Sequence, residues 1–451
     1  MVSLINELRF VHEAARDVPV AHVCDVCVIG GSCTGVFAAV RAARLGASVA
    51  IVEHNTIFGG MATAAMVNEW HSTLDVWNRE RIIAGLTLET IERLRKRDAV
   101  IETPPTDRIQ YRFNSAELAG ELDRLITEHR VRAFLSCRFV ATVGDPGEID
   151  AAIVEDKTGR RAIRAKVFID ASGDGDLVRR AGFAAHQSRA LQPTTYCAHY
   201  SGLRNLPEVW KRVRHRAEAH NYPLENGRPW VHAWPNSNEV SNVYGPRLNG
   251  VDASDGDALS AALLEARRQH RAFADMVLEE TGQRISVLAW AHAMGVRETW
   301  HAACEHHLTG KELLDGERFP DAIANSVYPL DIHHPGGTLL RYLDGREAVI
   351  DRNGVCAWGR WRDENAPVPP CYHVPYRSLV PRGSKNVLVA GRILDADRDG
   401  FAAVRVMVNM NQTGEAAGTA AWLALDSNKP VNQIDVPTLR KTLAAGGSVV
   451  L

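Results

Sequence analysis

The chain has 451 residues, 45% of them hydrophobic and 24% charged, which is the composition of a globular protein of two or three domains with a large buried core. Its formal net charge of −2 gives no reason to expect a nucleic-acid partner, and no uninterrupted apolar run approaches the ~20 residues of a membrane span. Residues 1 to 20 contain acidic side chains and lack the apolar segment of a secretory signal, so we expect a cytoplasmic location.

Neither the cysteines nor the paired histidines have the spacing of a redox or metal site. The eight cysteines are scattered, and Cys24 and Cys27 form a C-x-x-C pair inside a predicted strand, where we interpret them as buried core thiols. The pairs His306-His307 and His333-His334 are adjacent residues, whose side chains point in different directions on a helix or a strand. We therefore predict neither disulfides nor a metal site.

Residues 26 to 60 follow the order of a dinucleotide-binding βαβ unit. An apolar run predicts a buried strand, a turn with Gly30, Gly31 and Gly35 follows, an Ala-rich run predicts a helix, and a second apolar run ends at Glu53. The turn lets the backbone approach a pyrophosphate, and the helix N-terminus offers N–H groups to its phosphates. Glu53 lies 18 residues after Gly35, where an acid accepts hydrogen bonds from an adenosine ribose. Ser32 replaces the middle glycine of the G-x-G-x-x-G fingerprint.

The Gly59-Gly60 pair directly after this unit is the first indication that the nucleotide is FAD. A second place where the backbone passes close to the cofactor suits the extended arm of FAD, and NAD does not need it. In chain order, the next patterns predict an amphipathic helix at 79 to 98, a Pro-containing loop at 103 to 107, a helix at about 115 to 130 capped by Asn114 or Ser115, a small antiparallel insert within 131 to 169, and a second glycine turn at 170 to 176 that touches the same cofactor.

Residues 185 to 380 differ in character, because tryptophan, histidine and proline become frequent and regular βα alternation disappears. We interpret them as an inserted substrate-binding domain between an FAD-binding domain at 1 to 184 (insert at about 131 to 165) and its C-terminal part at 381 to 451. Within and after this region, we predict helices at about 252 to 282 and 289 to 306, a loop at 328 to 337, a strand ending in Gly391, a long helix from about Ala403 or Met410 to Leu425, and a short helix at about 436 to 444.

Seven stretches together resemble a known family. They are VCVIGGSCTGVFAAVRAARLGASVAIVE, FGGMATA, FIDASGDGD, MGVRETWH, FPDAIANSVYPLDIH, PYRSLVPRGSKNVLVAGR and AAVRVMVNMNQTGEAAGTAA, and they extend over residues 24 to 424. The chain resembles the FAD-dependent oxidoreductases of the fumarate-reductase and glutathione-reductase flavoprotein superfamily, in particular the group with a GGMAT loop. The resemblance implies an α/β fold with a Rossmann-like FAD-binding domain of glutathione-reductase type and an inserted α+β substrate domain.

The resemblance also implies roles for individual positions. The pyrophosphate would lie on the fingerprint turn, the adenosine ribose on Glu53, and the ribityl chain and ring on the GGMAT loop. The implied cofactor-binding residues are Gly30, Gly31, Ser32, Thr34, Gly35, Glu53, His54, Gly59, Gly60, Met61, Ala62, Val140, Ala171, Gly173, Asp174, Gly391, Arg392, Arg405, Val406 and Gly414. The helix that enters at Gly414 would face the flavin, and the stretch at 395 to 399 departs from the polar or His-containing stretch usual in the family.

Oxidation of a C–H bond by a flavin requires a base for one proton and a path for hydride to flavin N5. His71 follows the GGMAT loop closely, and Arg297 and His301 would share one helix face, where an arginine can hold a carboxylate and a histidine can relay a proton. His333 lies in the predicted loop with Tyr328 and Asp331. We therefore take Arg297, His71, His301 and His333 as candidate catalytic residues.

We predict an FAD-dependent oxidoreductase that oxidises a small molecule by hydride transfer, with oxygen or another compound as electron acceptor. A flavin disulfide reductase is disfavoured because FGGMAT contains no cysteine pair, and a halogenase because no G-W-x-W-x-I-P stretch occurs. A flavin monooxygenase remains as an alternative, although AGRILDADR stands where a hydroxylase would carry a G-D-A-A-H-like segment. The alternative from another class is a non-catalytic FAD-containing binding or escort protein.

Overall fold

The computed structural model describes residue 11 and residues 13–104, 109–203, 205–224, 229–351 and 354–451, and most of the predicted loop at 103 to 107 lies outside them. The first part contains β1 (Val20–Ile29), α1 (Cys33–Arg44), β2 (Val49–Val52), β3 (Glu69–His71), α2 (Leu86–Arg95), β4 (Val100–Glu102), β5 (Ile109–Phe113), α3 (Ser115–Glu128), β6 (Arg132–Phe134), β7 (Arg138–Asp145), β8 (Glu148–Asp156), β9 (Gly159–Asp170) and α4 (Asp176–Arg180). The middle part contains β10 (Ala185–Gln187), β11 (Thr194–Ser201), α5 (Leu206–Val213), β12 (Trp230–Trp234), β13 (Ser237–Leu248), α6 (Gly256–Thr281), β14 (Ser286–Trp290), β15 (Trp300–Ala302), α7 (Gly310–Asp315), β16 (Ala322–Ser326), β17 (Leu330–His334), β18 (Gly337–Arg341), β19 (Arg346–Asp351), β20 (Cys356–Arg360) and β21 (Tyr372–Pro375). The last part contains β22 (Val387–Val389), α8 (Arg398–Val404), α9 (Met407–Ser427) and α10 (Val436–Ala445).

The largest sheet has seven strands in the order β6-β2-β1-β9-β8-β7, with β22 also paired to β9. The strands β6, β2, β1, β9 and β22 are parallel. The apolar runs of β1, β2 and β22 are typical of strands buried on both faces. Helix α1 connects β1 to β2, which forms the predicted βαβ unit. The protein therefore has a mixed α/β fold around a parallel sheet; its glutathione-reductase type stays a prediction.

Strands β7, β8 and β9 form an antiparallel extension of this sheet within the insert predicted at about 131 to 165, whereas β6 in the same range is a parallel strand of the core. The first half of β9 pairs antiparallel with β8, and β8 pairs antiparallel with β7. The second half of β9 pairs with β22, so a single 12-residue strand belongs to both the insert and the parallel core. The helix predicted at 115 to 130 is confirmed as α3, and the Asn114 side chain caps it by accepting hydrogen bonds from the amides of Ala116 and Glu117.

The middle part forms separate sheets. Strands β12-β13-β11-β14 make one four-stranded sheet and β17-β18-β19-β20 another, while β10 pairs with β15 and β16 with β21. The helix predicted at 252 to 282 is confirmed as α6. The apolar core of the parallel sheet also includes Leu308, Tyr372 and Leu379 from the middle part. The domain boundaries at 185 and 380 stay predictions.

The prediction of a helix around 289 to 306 is wrong. The segment contains the strands β14 and β15, so Arg297 and His301 do not share a helix face. Its alanines favour a helix, but Gly295 exchanges two backbone hydrogen bonds with Thr195, with N···O distances of 2.7 and 2.9 Å. The Ala302 amide likewise donates to the carbonyl of Ile393. Backbone pairing with distant segments overrides the local helix propensity here.

The loop predicted at 328 to 337 is also wrong, because most of it forms the hairpin of β17 and β18. Adjacent residues on a strand face opposite sides and alternate residues face the same side. Asp331 and His333 therefore lie on one face of β17, and their side chains meet (His333 Nε2 to Asp331 Oδ2, 3.3 Å).

The long C-terminal helix α9 begins at Met407. Gly414 therefore lies inside the helix, and the prediction that the helix enters at Gly414 is wrong. Here α9 crosses α1 closely: a Cβ on Gly414 would lie 2.1 Å from the carbonyl oxygen of Thr34, and one on Gly418 2.1 Å from that of Ala38. The small residues of α9 thus let two helix backbones touch. Of the described helices, including the 26-residue α6, none combines the length and the apolar composition needed to cross a bilayer.

Replacing Gly418 with alanine is expected to destabilise the protein by about 1–3 kcal/mol, since the added methyl group has no room and must push the two helices apart. The control is Gly120 on the exposed face of α3, where a Cβ meets nothing within 4 Å. Gly120→Ala is expected to stabilise by up to about 1 kcal/mol, through helix propensity alone. Thermal unfolding of the FAD-loaded variants measures both effects, and equal shifts of the melting temperature in the same direction would contradict the close packing.

The cysteines are free thiols, and Cys24 and Cys27 are buried in β1 as predicted. Burial raises the pKa of Cys24 to about 12, so this thiol stays protonated at neutral pH. A thiol without thiolate character is a poor nucleophile, which supports the interpretation of this pair as core thiols.

Candidate active site

The glycine turn after β1 is closed by the end of β9. Gly30 has a φ of +101°, and a Cβ there would lie 2.3 Å from the carbonyl oxygen of Ala171. A Cβ on Gly35 would lie 1.9 Å from the carbonyl oxygen of Gly30. Ser32 is the N-cap of α1, and its Oγ accepts a hydrogen bond from the Gly35 amide at 3.4 Å. The serine that departs from the fingerprint thus caps the helix whose N-terminus faces the turn.

Glu53 follows β2 and is almost fully buried beside this turn. Its Oε2 accepts a hydrogen bond from the Gly31 amide at 2.6 Å, and its Oε1 accepts one from the Asn55 amide at 2.8 Å. His54 is half exposed, and its Nδ1 lies 3.2 Å from Glu53 Oε1. Val140 lies on β7, three residues after Cys137, whose amide donates to the Glu53 carbonyl at 3.0 Å. His54 is therefore adjacent to the Glu53 carboxylate, while Val140 packs against the cluster of Ala151, Ile153 and Ala162.

The second glycine pair lies directly on the first turn. The Gly59 amide donates to the Gly31 carbonyl at 2.8 Å, and Gly59 has a φ of +110°. A Cβ on Gly60 would lie 2.9 Å from the Cβ of Ser32. Met61 and Ala62 continue this loop in one turn of 3-10 helix. The GGMAT loop and the fingerprint turn therefore form one continuous surface.

The second glycine turn is held by a buried carboxylate. Asp170, at the end of β9, accepts hydrogen bonds from the amides of Ser172, Leu177 and Val178, each at 3.0 Å. Burial raises the pKa of Asp170 to about 6, against the effect of these hydrogen bonds. The Ala171 amide donates to the carbonyl of Ile29 at 2.7 Å, which fastens this turn to β1.

Arg392 joins the second turn to the C-terminal part. Its Nη2 donates to Asp174 Oδ1 at 3.2 Å and would lie 2.5 Å from a Cβ on Gly173. Its buried Nη1 has no hydrogen-bond partner among the described residues. The preceding Gly391, with a φ of +85°, donates its amide to Thr413 Oγ1 of α9 at 3.0 Å. An unpaired buried guanidinium donor suits an anionic ligand such as a pyrophosphate.

Asp331 on β17 is the centre of a second group of side chains, at the start of α9. Its Oδ2 accepts hydrogen bonds from Tyr328 Oη at 2.6 Å and from Arg405 Nη2 at 3.0 Å. Arg405 lies just before Val406, the N-cap residue of α9. His333 lies 3.3 Å from the same oxygen, and its Nδ1 is 2.9 Å from Thr338 Oγ1.

Three of the four predicted catalytic residues belong to this group, and the structure adds Arg247. The His71 ring meets that of Tyr328 edge-on, with 4.4 Å between their centroids. Arg297 donates to the carbonyl of Pro193 at 2.7 Å and lies within electrostatic range of Asp331 and Tyr328. Arg247 on β13 is the further cation that acts on Arg297. We call His71, Arg247, Arg297, Tyr328, Asp331, His333 and Arg405 the arginine cluster.

The arginine cluster carries more positive than negative charge. Burial and the neighbouring Arg405 and Arg247 lower the pKa of Arg297, and Asp331 only partly opposes them. Burial also lowers the pKa of His333 to about 3, so its imidazole is neutral at physiological pH. Arg247, Arg297 and Arg405 are partly buried, and Asp331 is buried. The arrangement suits an anionic group of a small molecule.

His301, the fourth predicted catalytic residue, lies apart from the arginine cluster. It is buried on β15, with Nδ1 3.1 Å from the Leu394 carbonyl and Nε2 3.4 Å from Glu298 Oε1. Arg247 was missed because no spacing in the sequence relates β13 to Arg297. A usable signal was its position as a charged residue near the end of a strand, shortly after the Gly245-Pro246 pair.

The residues present fit a bound FAD. The capped N-terminus of α1, the two glycine turns and the buried Nη1 of Arg392 offer N–H groups to a pyrophosphate, and Glu53 offers a carboxylate to a ribose. The N-terminus of α9 begins next to the arginine cluster. Because the Gly59 amide bonds the fingerprint turn, the GGMAT loop adjoins the phosphate-binding turn, and the two together suit a dinucleotide rather than a mononucleotide.

The structure is similar to those of several flavoproteins, with low sequence identity. A geranylgeranyl bacteriochlorophyll reductase-like protein from Thermoplasma acidophilum is 13% identical, with a TM-score of 0.46, over 94% of this chain and 87% of that one. The myxobacterial chondrochloren halogenase CndH is 12% identical, with a TM-score of 0.44, over 93% and 79% of the two chains. The aromatic hydroxylase CabE from angucycline biosynthesis is 12% identical, with a TM-score of 0.43, over 94% and 68%.

Comparison with sequence families identifies the chain. A search of curated protein sequences finds no match. The model of the family described as "FAD dependent oxidoreductase" matches residues 25–443, which include both glycine turns, Glu53 and the arginine cluster. Because this match extends over nearly the whole chain, the protein belongs to the FAD-dependent oxidoreductase family and is an enzyme that uses FAD.

Proposed function

We propose that this enzyme oxidises a small substrate carrying a carboxylate or a similar anionic group, by hydride transfer to the flavin. The observation that carries the proposal is the grouping of Arg247 and Arg405 within electrostatic range of Arg297, beside the Asp331 carboxylate that Arg405 binds. Like charges brought together in a partly buried site are unfavourable unless an anion joins them. A substrate carboxylate would provide that anion and would be oriented by forked guanidinium donors.

The neighbouring side chains supply a path for the substrate proton. The Tyr328 hydroxyl already donates to Asp331, so it can take a proton from the substrate while passing its own to the carboxylate. His333 is neutral and lies against Asp331, which suits a positioning residue better than a base. His71 packs on the Tyr328 ring and limits its orientation. When bound, FAD supplies the two-electron acceptor at N5.

The experiment for this proposal is anaerobic reduction of the flavin. We expect the purified protein to be yellow and to bleach without oxygen when 2-hydroxy acids or amino acids are added. Rapid return of the colour in air would identify an oxidase, and slow return a dehydrogenase with another acceptor. A colourless protein that does not take up FAD would contradict the family assignment.

The same experiment separates hydride transfer from monooxygenation. A monooxygenase would not bleach with its substrate alone; it would consume oxygen and a nicotinamide reductant in amounts matched to an oxygenated product. A non-catalytic FAD-containing protein would do neither. Either result would overturn the proposed reaction without affecting the identification of the cofactor.

We further propose that Glu53 binds the adenosine ribose. Replacing it with glutamine is expected to raise the Kd for FAD about tenfold or more, the worth of a hydrogen bond to a charged group. Both Glu53 oxygens accept hydrogen bonds from backbone amides, and a glutamine offers only one acceptor. Fluorescence titration of the apoprotein with FAD measures the change, and Glu155→Gln on the exposed face of β8 is the matched control. Equal Kd values for the two variants would remove Glu53 from the site.

A further inference from the structure

A second group of ligating side chains lies outside the arginine cluster. His186 on β10, His307 in the segment between β15 and α7, and Asp395 in the loop between β22 and α8 place one nitrogen or oxygen atom each within 4.8 Å of one another. Asp395 Oδ1 is 3.0 Å from His186 Nε2 and 2.6 Å from His307 Nδ1. Asp395 is 209 positions from His186 and 88 from His307 in the sequence, so neither spacing nor adjacency reveals the group.

The geometry suits three ligands of one metal ion. Bonds of about 2.0–2.2 Å at tetrahedral angles place two ligand atoms about 3.4 Å apart. The two measured separations are slightly shorter, as expected of atoms that share hydrogen bonds without an ion, and small side-chain rotations bring them to that distance. Two imidazoles and one carboxylate are typical of zinc and of neighbouring first-row divalent ions.

The carboxylate of Asp395 is held in place from behind. It is buried, and its Oδ2 accepts a hydrogen bond from the Cys304 amide at 2.8 Å. Its main-chain carbonyl accepts one from the Leu308 amide at 3.1 Å. The His186 ring stacks on that of His301, with 5.3 Å between centroids. Supports of this kind fix the orientation of metal ligands, and they give His301 a positioning role outside the arginine cluster.

The open side of the group faces a cleft of about 320 Å³. His186 and His307 are 41% and 43% exposed, so an ion can enter from solvent and keep a coordination position for water or a small anion. The other residues of the cleft are Ser188, Arg189, Ala190, Ala396, Asp397 and Arg398.

We propose that His186, His307 and Asp395 bind one first-row divalent ion of the zinc type, which joins three distant segments of the chain at this cleft. The loop that carries Asp395 begins at Gly391 and Arg392, both at the FAD site. The ion would therefore fasten the loop that closes the cofactor site to β10 and to the segment after β15.

The test uses the FAD-loaded protein, treated with a chelator, desalted and then titrated with Zn²⁺ in competition with a chromophoric chelator. We expect one Zn²⁺ per chain, undisturbed by millimolar Mg²⁺ or Ca²⁺, which require oxygen ligands. The variants His186→Gln and Asp395→Asn are expected to bind Zn²⁺ at least about tenfold more weakly, since loss of even a supporting group has that effect. His215→Gln, at an exposed histidine on another surface, is the control and is expected to bind as the natural protein does.

Because Asp395 is buried, Asp395→Asn could fail to fold, whereas His186 is half exposed and His186→Gln is expected to fold normally. Retained FAD content shows that each variant is folded. Zinc binding well below one per chain would overturn the proposal. So would equal affinities in the natural protein and the two ligand variants. The group would then be a set of hydrogen-bonded histidine–aspartate pairs.

Discussion

Replacing Arg297 with methionine is expected to weaken the binding of small carboxylates by about 10- to 100-fold, the worth of one hydrogen bond between charged groups. The prediction rests on the proposed role of the arginine cluster, in which Arg297 lies within electrostatic range of Arg247, Arg405 and Asp331. Titration of the FAD-loaded protein with acetate and succinate, followed through the flavin absorption band, measures the change. The readout needs no turnover, so it holds whichever reaction the enzyme catalyses.

The same substitution is expected to leave the melting temperature without added anion unchanged or higher. Burial and the neighbouring arginines lower the pKa of Arg297, which means that its charged form is less favourable in the folded protein than in the unfolded chain. Removing the charge relieves this cost and loses one hydrogen bond to the Pro193 carbonyl. Weaker anion binding without loss of stability is the mark of a residue kept for function.

The control for Arg297 is Arg346→Met on β19, where the arginine is 55% exposed, pairs with Asp344 and lies over the rings of Tyr342 and Trp358. It is expected to leave carboxylate binding unchanged. If Arg297→Met lowered the melting temperature by several degrees and left carboxylate binding intact, Arg297 would be a structural residue and the proposed substrate class would lose its support.

Replacing Arg41 with methionine is expected to destabilise the protein by about 3–5 kcal/mol, the cost of leaving a buried charge without its partner. Arg41 of α1 and Glu415 of α9 form an ion pair with side chains only 4% and 1% exposed. Glu415 also accepts a hydrogen bond from the Leu86 amide at the start of α2 (3.0 Å), and Arg41 donates to the Gly446 carbonyl (2.9 Å). One pair thus connects three helices and the C-terminal segment.

The stability that Arg41→Met loses is expected to depend on pH. Burial raises the pKa of Glu415, and Arg41 opposes this, so the pKa rises further in Arg41→Met. A raised pKa in the folded state means that the folded protein binds the proton more tightly than the unfolded chain, and that stability is lost as the pH rises. The variant is therefore expected to lose stability as the pH rises above the ordinary pKa range of a glutamate, and to lose less at acidic pH.

A double-mutant cycle isolates the pair. Arg41→Met combined with Glu415→Gln is expected to recover much of the loss, because no uncompensated charge then remains buried. The matched surface pair is Arg180 and Asp176, 43% and 41% exposed, where Arg180→Met is expected to change stability by less than about 0.5 kcal/mol. Additive effects of the two buried substitutions would show that the pair contributes no coupling energy.

Elements with local signals were predicted well. The βαβ unit at β1, α1 and β2, the capped helix α3 and the long helix α6 all follow from patterns that are local in the chain. The errors at 289 to 306 and at 328 to 337 have different causes. The backbone of the first segment pairs with a distant segment, as Gly295 does with Thr195, which no local propensity reports. The second segment forms a local hairpin, in which His334 pairs with Gly337 across a tight turn.

The sequence by itself determined the cofactor, because the dinucleotide fingerprint consists of glycines, a helix start and an acid that are close together in the chain. Only the tertiary structure decided which candidate side chains meet. Four separate segments contribute Arg247, Arg297, Asp331 and Arg405. Three separate segments likewise contribute His186, His307 and Asp395. Their juxtaposition depends on contacts between segments far apart in the chain, such as β16 with α9 and β17 with α8. Side chains brought together in this way leave no periodic pattern in the sequence.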